Sequence, residues 1–288
     1  MNALEVPLQF KGAARRHPVD IEGNPVSLQQ WERVETERSA LEASLTGSVA
    51  LLAHPNLFSR YAAPSADTVH PLEYAFHLLG DVRGKTILEY GCGDGVNTIC
   101  LANRGARIVA LDLSPELLDI ARRRAKANGV RDVEFVAGSA HNVPLPDNSV
   151  DVVFGIAILH HLDLALASKE VTRLVRKGGV AIFQEPVRNS TLLREARNLI
   201  PYRSPDVSPF ERPLTDKELK GFASGFPSYH SRPFYTLPVA LTLALACYLS
   251  PSIRKHILEP SRRLDSRLLR MFPALGYFSP VKVVKIMK

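Results

Sequence analysis

Cysteine is scarce. Cys92, Cys100 and Cys247 are the only three in 288 residues, and no two stand in a Cys-x-x-Cys spacing. Such a set excludes a disulfide framework and a cysteine zinc site, and it predicts a reducing, cytoplasmic location. No His, Asp or Glu cluster has metal-ligand spacing either, so no metal site is expected. Aromatic residues make up 7% of the chain. The basic residues lack the interleaved aromatics of a stacking platform, so a nucleic-acid partner is not expected. Residues 1–25 carry Lys11, Arg15, Arg16, Asp20 and Glu22 around no apolar core, which is not the pattern of a signal peptide.

Charge is missing altogether from Pro233 to Ile253, a run of 21 residues. A membrane span needs about 20 predominantly apolar residues. Pro233, Pro238 and Pro251, with Tyr235, Thr236, Thr242 and Ser250, shorten the apolar part to Pro238–Leu249. A buried or dimer-interface helix, a cap over an apolar substrate and a peripheral membrane contact all fit; a spanning helix does not. Directly after it the balance reverses. Ser250 to Lys288 holds nine Lys/Arg against Glu259 and Asp265, a difference equal to the whole net charge of +7. A solvated helix face would account for that, as would attraction to an anionic substrate group or membrane surface.

Glycine, by contrast, is concentrated. In "EYGCGDG", residues 89–95, Gly91, Gly93 and Gly95 occupy every second position after the apolar run Thr86-Ile87-Leu88. Asn97-Thr98-Ile99-Cys100-Leu101-Ala102 follows with apolar residues at helical spacing. Strand, glycine turn and helix together bring backbone close to a nucleotide-like ligand. The alternation continues with strands at Arg107–Asp112, Asp132–Ala137, Val150–Phe154 and Val180–Gln184, and helices at Pro115–Asn128 and Leu164–Val175. Ser114-Pro115-Glu116 supplies an N-cap, a proline at the first helical position and a first-turn acid. Thr215-Asp216-Lys217-Glu218 reads as a capping box. The pattern predicts an α/β fold with a doubly wound parallel sheet, preceded by a helical extension.

Four observations narrow the ligand. In a nicotinamide-binding Gly-x-Gly-x-x-Gly turn the third glycine comes five residues after the first; here it comes four after. Glu89, at the end of the first strand, would repel pyrophosphate and receive an ammonium group. Asp112 ends the second strand, 21 residues past Gly91, where a carboxylate accepts both hydroxyls of a ribose. Ser139 and Ala140 follow the third strand, where an adenine edge would lie. An amino-acid end, a ribose and an adenine in chain order describe S-adenosylmethionine.

With those pieces in place, residues 83–185 resemble a class I S-adenosylmethionine-dependent methyltransferase, of the group that includes the ubiquinone/menaquinone C-methyltransferases. The resemblance is carried by "ILEYGCGDG", "IVALDLSPELLDIARRRA", "VAGSAHNVPLPDNSVDVVFGIAILHHL" and "EVTRLVRKGGVAIFQEP". It implies a Rossmann-like seven-stranded sheet with the last strand antiparallel, Ser228–Thr236 and Ser279–Met287 being the last two strands. The domains expected are an arm and helical lid over 1–75, the cofactor-binding core over 76–236, a helical insertion over 237–277 and the final strand over 278–288. The resemblance further implies that Glu89, Gly91 and Gly93 hold the methionine portion, that Asp112 takes the ribose and Leu113 flanks the adenine, and that Gly155 and Ile156 pass beneath the sulfonium. Ser139 stands where the group often has an Asp or other polar residue.

Candidates for a general base are His160 and His161, just beyond the fourth strand, and Glu185, ending the fifth. Tyr61 is expected in a lid over the cofactor; His141 and His230 are weaker candidates. The expected activity is transfer of a methyl group to a small, largely apolar molecule, such as a quinone, isoprenoid, lipid precursor or secondary metabolite, with S-adenosylhomocysteine as the other product. An anionic group on the acceptor and a homodimer are left open. The alternative is a protein that binds the cofactor without methyl transfer and acts as an interaction partner.

Overall fold

A computed structural model describes residues 26–46, 51–190, 213–236 and 251–288, with 238, 239 and 242 between the last two segments. Before the sheet come α1 (Leu28–Thr46), α2 (Pro55–Ala62) and α3 (Pro71–Leu78). The alternating part then runs β1 (Thr86–Tyr90), α4 (Val96–Ala102), β2 (Arg107–Asp112), α5 (Pro115–Ala127), β3 (Val133–Ala137), β4 (Val150–Ile156), α6 (Leu164–Leu174) and β5 (Val175–Pro186). It is completed by α7 (Asp216–Phe222), β6 (Ser228–Phe234), α8 (Pro251–Met271) and β7 (Val281–Met287).

The seven strands lie in the order β3-β2-β1-β4-β5-β7-β6. The first five are parallel, and β7 runs antiparallel to both β5 and β6. The expected seven-stranded Rossmann-like sheet is therefore present, with its antiparallel last strand inserted beside β5. Strand boundaries differ from those expected by up to two residues, except at β5, which starts at Val175 and not Val180, directly from α6, with a register shift opposite Val150 and Val152.

Alternate side chains of each strand feed opposite layers. On β1, Leu88 and Tyr90 enter a core under α6 and α7, where Val171, Leu174, Leu219 and Phe222 pack. Ile87 enters the opposite core, filled by Phe76 of α3, Ile99 of α4 and Leu118 of α5. Burial on both faces explains why the parallel strands read as continuous apolar runs. The caps form as the sequence implies. Ser114 Oγ accepts from the Leu117 N–H at 3.2 Å, and Thr215 and Glu218 close a capping box.

Helices α2 and α3 belong to that second core, while α1 alone reaches forward, packing Ala43 against Leu117 and Ile120 of α5. Most of the uncharged run, including 240–241 and 243–250, lies outside the described residues. Among the described residues no helix is long and apolar enough to cross a membrane.

Candidate active site

The three glycines serve two different purposes. All adopt left-handed backbone, with φ of +77° at Gly91, +53° at Gly93 and +82° at Gly95, a region that side chains with a Cβ resist. A Cβ on Gly91 would fall 2.7 Å from Ile158 Cδ1, and one on Gly95 would fall 2.7 Å from Ala121 Cβ. Those two are small because Ile158 and α5 crowd them. At Gly93 nothing lies within 4 Å, so the turn opens there to a cleft. Arg124 of α5 fixes the turn from behind, its guanidinium reaching Asp94 Oδ2 at 2.7 Å and the Asp94 carbonyl at 2.9 Å.

The cleft, about 320 Å³ in volume, lies at the carboxyl ends of β1 to β4. Of the residues expected to bind cofactor, Gly91, Gly93, Asp112, Leu113, Ser139, Ala140 and Ile156 line it. Asp112 is held in place by backbone donors, with Gly93 N–H 2.8 Å from Oδ2 and Ser114 N–H 3.0 Å from Oδ1. Burial raises its pKa, and those donors pull the other way. Each carboxylate oxygen accepts one backbone bond and has a second lone pair for a ribose hydroxyl. Ala157, also on the wall, has φ of +54°, an unfavourable conformation for alanine that recurs at ligand sites.

Three expected cofactor residues are not on that wall. Glu89 is buried beneath the turn, accepting from Thr98 Oγ1 on α4. Burial, ahead of the nearby Asp112 and Asp94 charges, pushes its pKa up to about 8. Gly155 packs under Phe183 and Ile158, where a Cβ would fall within 2.8 Å of each. Tyr61 is the clearest correction. It sits in the core with its ring 4.7 Å from that of Phe76, because the apolar face of α2 turns inward and not over the cleft.

The general-base candidates separate in the same way. Glu185 is fully buried and already committed: Oε1 accepts from Ile158 N–H at 3.0 Å and Leu159 N–H at 2.8 Å, while Oε2 lies 2.8 Å from His160 Nδ1. It holds the short 3-10 turn Leu159–His161 onto β5. His160 is buried with it, and its ring lies 4.1 Å from that of His161. Of the three candidates, only His161 lines the cleft. Its Nδ1 is 3.2 Å from Glu35 Oε2, but off the direction a hydrogen bond requires.

Glu35 comes from the roof. Trp31, Glu32, Glu35, Arg38, Ser39 and Glu42 of α1 close the cleft from above. Glu32 accepts from Ser139 Oγ and lies 3.0 Å from His141 Nδ1, while His141 Nε2 accepts from the Asp163 N–H at 3.0 Å. That acceptor role at Nε2 places the imidazole proton on Nδ1, facing Glu32. Helix α1 is thus connected through a histidine to the N-cap of α6. The only sequence signal was the spacing of Trp31, Glu35, Ser39 and Glu42 on one helical face.

Residues 88–183 match the methyltransferase domain model. A malonyl-[acyl-carrier protein] O-methyltransferase of Serratia marcescens is 38% identical over 101 residues, covering 35% of this chain and 38% of that protein. That segment is a methyltransferase domain. An uncharacterized 37.1 kDa protein in a Streptomyces fradiae transposon is 32% identical over 228 residues, 76% of this chain and 61% of its own length. The chain therefore spans less than two thirds of either relative. Among solved structures, a geranyl diphosphate methyltransferase bound to that diphosphate and sinefungin is similar in fold, with a TM-score of 0.53 at 16% identity over 89% of this chain and 98% of its own. The glycine turn, the poised Asp112 and the Ser139–Ala140 loop of the methyltransferase domain fit S-adenosylmethionine.

Proposed function

We propose that the chain transfers the methyl group of S-adenosylmethionine to a small, largely apolar acceptor. The observation that carries this reading is the cleft itself: Gly93 opens onto it, Asp112 stands beside that opening with acceptor capacity to spare, and both belong to the matched methyltransferase domain. The bound cofactor supplies an activated methyl on a sulfonium, so the protein's main task is alignment. Such positioning is worth about 7–11 kcal/mol.

The residues divide that task. Asp112 and the loop at Leu113 and Ser139–Ala140 would fix the nucleoside, and the Gly91–Gly93 backbone the amino-acid end. Ile156, Ala157 and Ile158 form an apolar wall that leaves an acceptor atom poorly solvated. The α1 roof keeps bulk water from the same space. Where the acceptor atom carries a proton, His161 is placed to remove it; general base catalysis contributes about 10²–10⁴-fold. His160 and Glu185 position the turn on which His161 stands.

The apolar acceptor is inferred from the insertion between β6 and β7, an uncharged run followed by the basic helix α8. A lipid, isoprenoid or quinone precursor suits it. Turnover measured against a panel of apolar and polar small molecules tests this reading. Activity confined to tRNA or protein would overturn it.

A further inference from the structure

A second cavity, about 120 Å³, lies between β6 and α8. Arg262, Asp265, Ser266 and Leu269 recur at three- and four-residue spacing, so they share the α8 face that lines it, and Arg270 follows. Arg232, from β6, completes a set of three guanidinium groups, with Tyr235 and Phe234 as aromatic walls.

The charge here is only partly answered. Arg232 is spent on structure, donating to the Ala66 and Thr68 carbonyls and standing 4.4 Å from the Tyr74 ring centroid. Asp265, the one carboxylate in the lining, is 1% exposed and taken up by Thr236 and Val239, accepting from Thr236 N–H, Thr236 Oγ1 and Val239 N–H. Arg262 has a loose pair to Glu259 at 3.7 Å, a carboxylate also shared with Arg263 and His70, and it also meets the Tyr235 side chain, 5.8 Å from its ring centroid. Arg270 has one at 3.9 Å to the exposed Asp67. Exposed pairs of that kind contribute about 0–1 kcal/mol and exchange readily for a better anion. Most telling, Arg262 Nε is buried with no hydrogen-bond partner. A buried unmatched donor is costly, and guanidinium groups favour oxyanions that meet two donors at once.

We propose that this cavity is an oxyanion site that takes the phosphoryl head of the methyl acceptor. The oxyanion chemistry stands independently; its assignment to the acceptor rests on the function proposed above. Phe234 pairs with Val281, which pairs with Pro186 at the end of β5, so the cavity opens at the same sheet edge as the cleft. Three strand spacings separate the ends of β4 and β6, a distance of about 14 Å. A long apolar chain can bridge that gap. Leu269 and Val69 in the lining, with exposed Met271 and Phe272 immediately after Arg270, give such a chain apolar surface.

The test is calorimetric titration of the full chain with inorganic phosphate and with decyl phosphate below its micelle concentration, neither of which depends on methyl transfer. Both are expected to bind, decyl phosphate at least tenfold more tightly. Arg262→Gln should weaken both at least tenfold. Arg270→Gln, at a largely exposed position, should weaken both severalfold without disturbing the fold, and Arg263→Gln, on the solvent side, should leave both unchanged. Phosphate binding without a decyl gain would keep the oxyanion site and overturn its assignment to an apolar acceptor. No binding of either probe, or equal losses in Arg263→Gln, would overturn the site. Loss of methyl transfer with probe binding intact would count against the function alone.

Discussion

Glu35 Oε2 of the roof helix stands 3.2 Å from His161 Nδ1 on the cleft floor, joining residues 126 positions apart across the space where methyl transfer is proposed. With α1 over the cleft, a carboxylate stands beside His161 on the floor. For an acceptor that loses a proton, His161→Gln should lower kcat by about 10²–10⁴-fold. Glu35→Gln should lower kcat by about tenfold while leaving the cofactor Kd within about threefold, as expected for a carboxylate whose charge acts on His161 more than on the cofactor. Steady-state rates paired with cofactor titrations check this. Equal losses in kcat and cofactor affinity would identify α1 as a cofactor clamp instead.

The glycines of one turn should respond differently to the same methyl group. Gly95→Ala places a Cβ 2.7 Å from Ala121 Cβ and 2.9 Å from its Cα, and backbone cannot swing aside as a side-chain tip can. A stability loss of about 2–4 kcal/mol is expected from overpacking combined with the left-handed φ. Gly93→Ala meets no atom, so only the backbone term of about 1–2 kcal/mol applies. Its methyl projects into open space beside Asp112, and cofactor binding should weaken more than for any other glycine in the turn. Thermal melts with and without S-adenosylmethionine separate the two effects.

Asp112 couples stability to binding through one carboxylate. Asp112→Ala strands the Gly93 and Ser114 N–H groups and removes the ribose acceptor, so both readouts should fall. Cofactor binding should weaken by about 2–4 kcal/mol. Asp112→Asn retains one acceptor oxygen and should lie between wild type and alanine in both. Calorimetric titration measures it, and an alanine variant that binds normally would remove the ribose assignment.

Much of this was legible because it is local. A strand, three alternating glycines and a helix occupy 17 consecutive residues from Thr86 to Ala102, and the caps at Ser114 and Thr215 need only the next three or four residues. The roof was not legible. Glu32 meets Ser139 and His141 across more than 100 residues of chain, and a helix rich in Glu and Arg reads as a solvated surface until its partner is known. Glu185 misled for a related reason. Its place at the end of β5 was right for a crevice, but two backbone N–H groups and His160 turn its side chain inward. Tyr61 sits on an amphipathic helix whose apolar face fits either a lid or a core, and only the position of Phe76 decides between them.

Glu89 makes the pH dependence of this fold unusual. Burial pushes its pKa up to about 8 from an ordinary 4.5, so at pH 7 the folded protein holds a proton that the unfolded chain has released. The folded state binds more protons across that window, and stability therefore falls as pH rises from about 4.5 to 8, by up to about 1.4 kcal/mol per pH unit. Glu89→Gln carries no such proton and should flatten the slope, making it relatively more stable than wild type at pH 8 than at pH 5. An ammonium group of a bound ligand within about 4–6 Å would favour the carboxylate and expel the proton. Calorimetry of S-adenosylmethionine binding at pH 7, in buffers of different ionisation enthalpy, should then show release of up to one proton in wild type and none in Glu89→Gln. A pH-dependent stability without proton release would mean that Glu89 serves the turn from beneath and does not meet the methionine end of the cofactor.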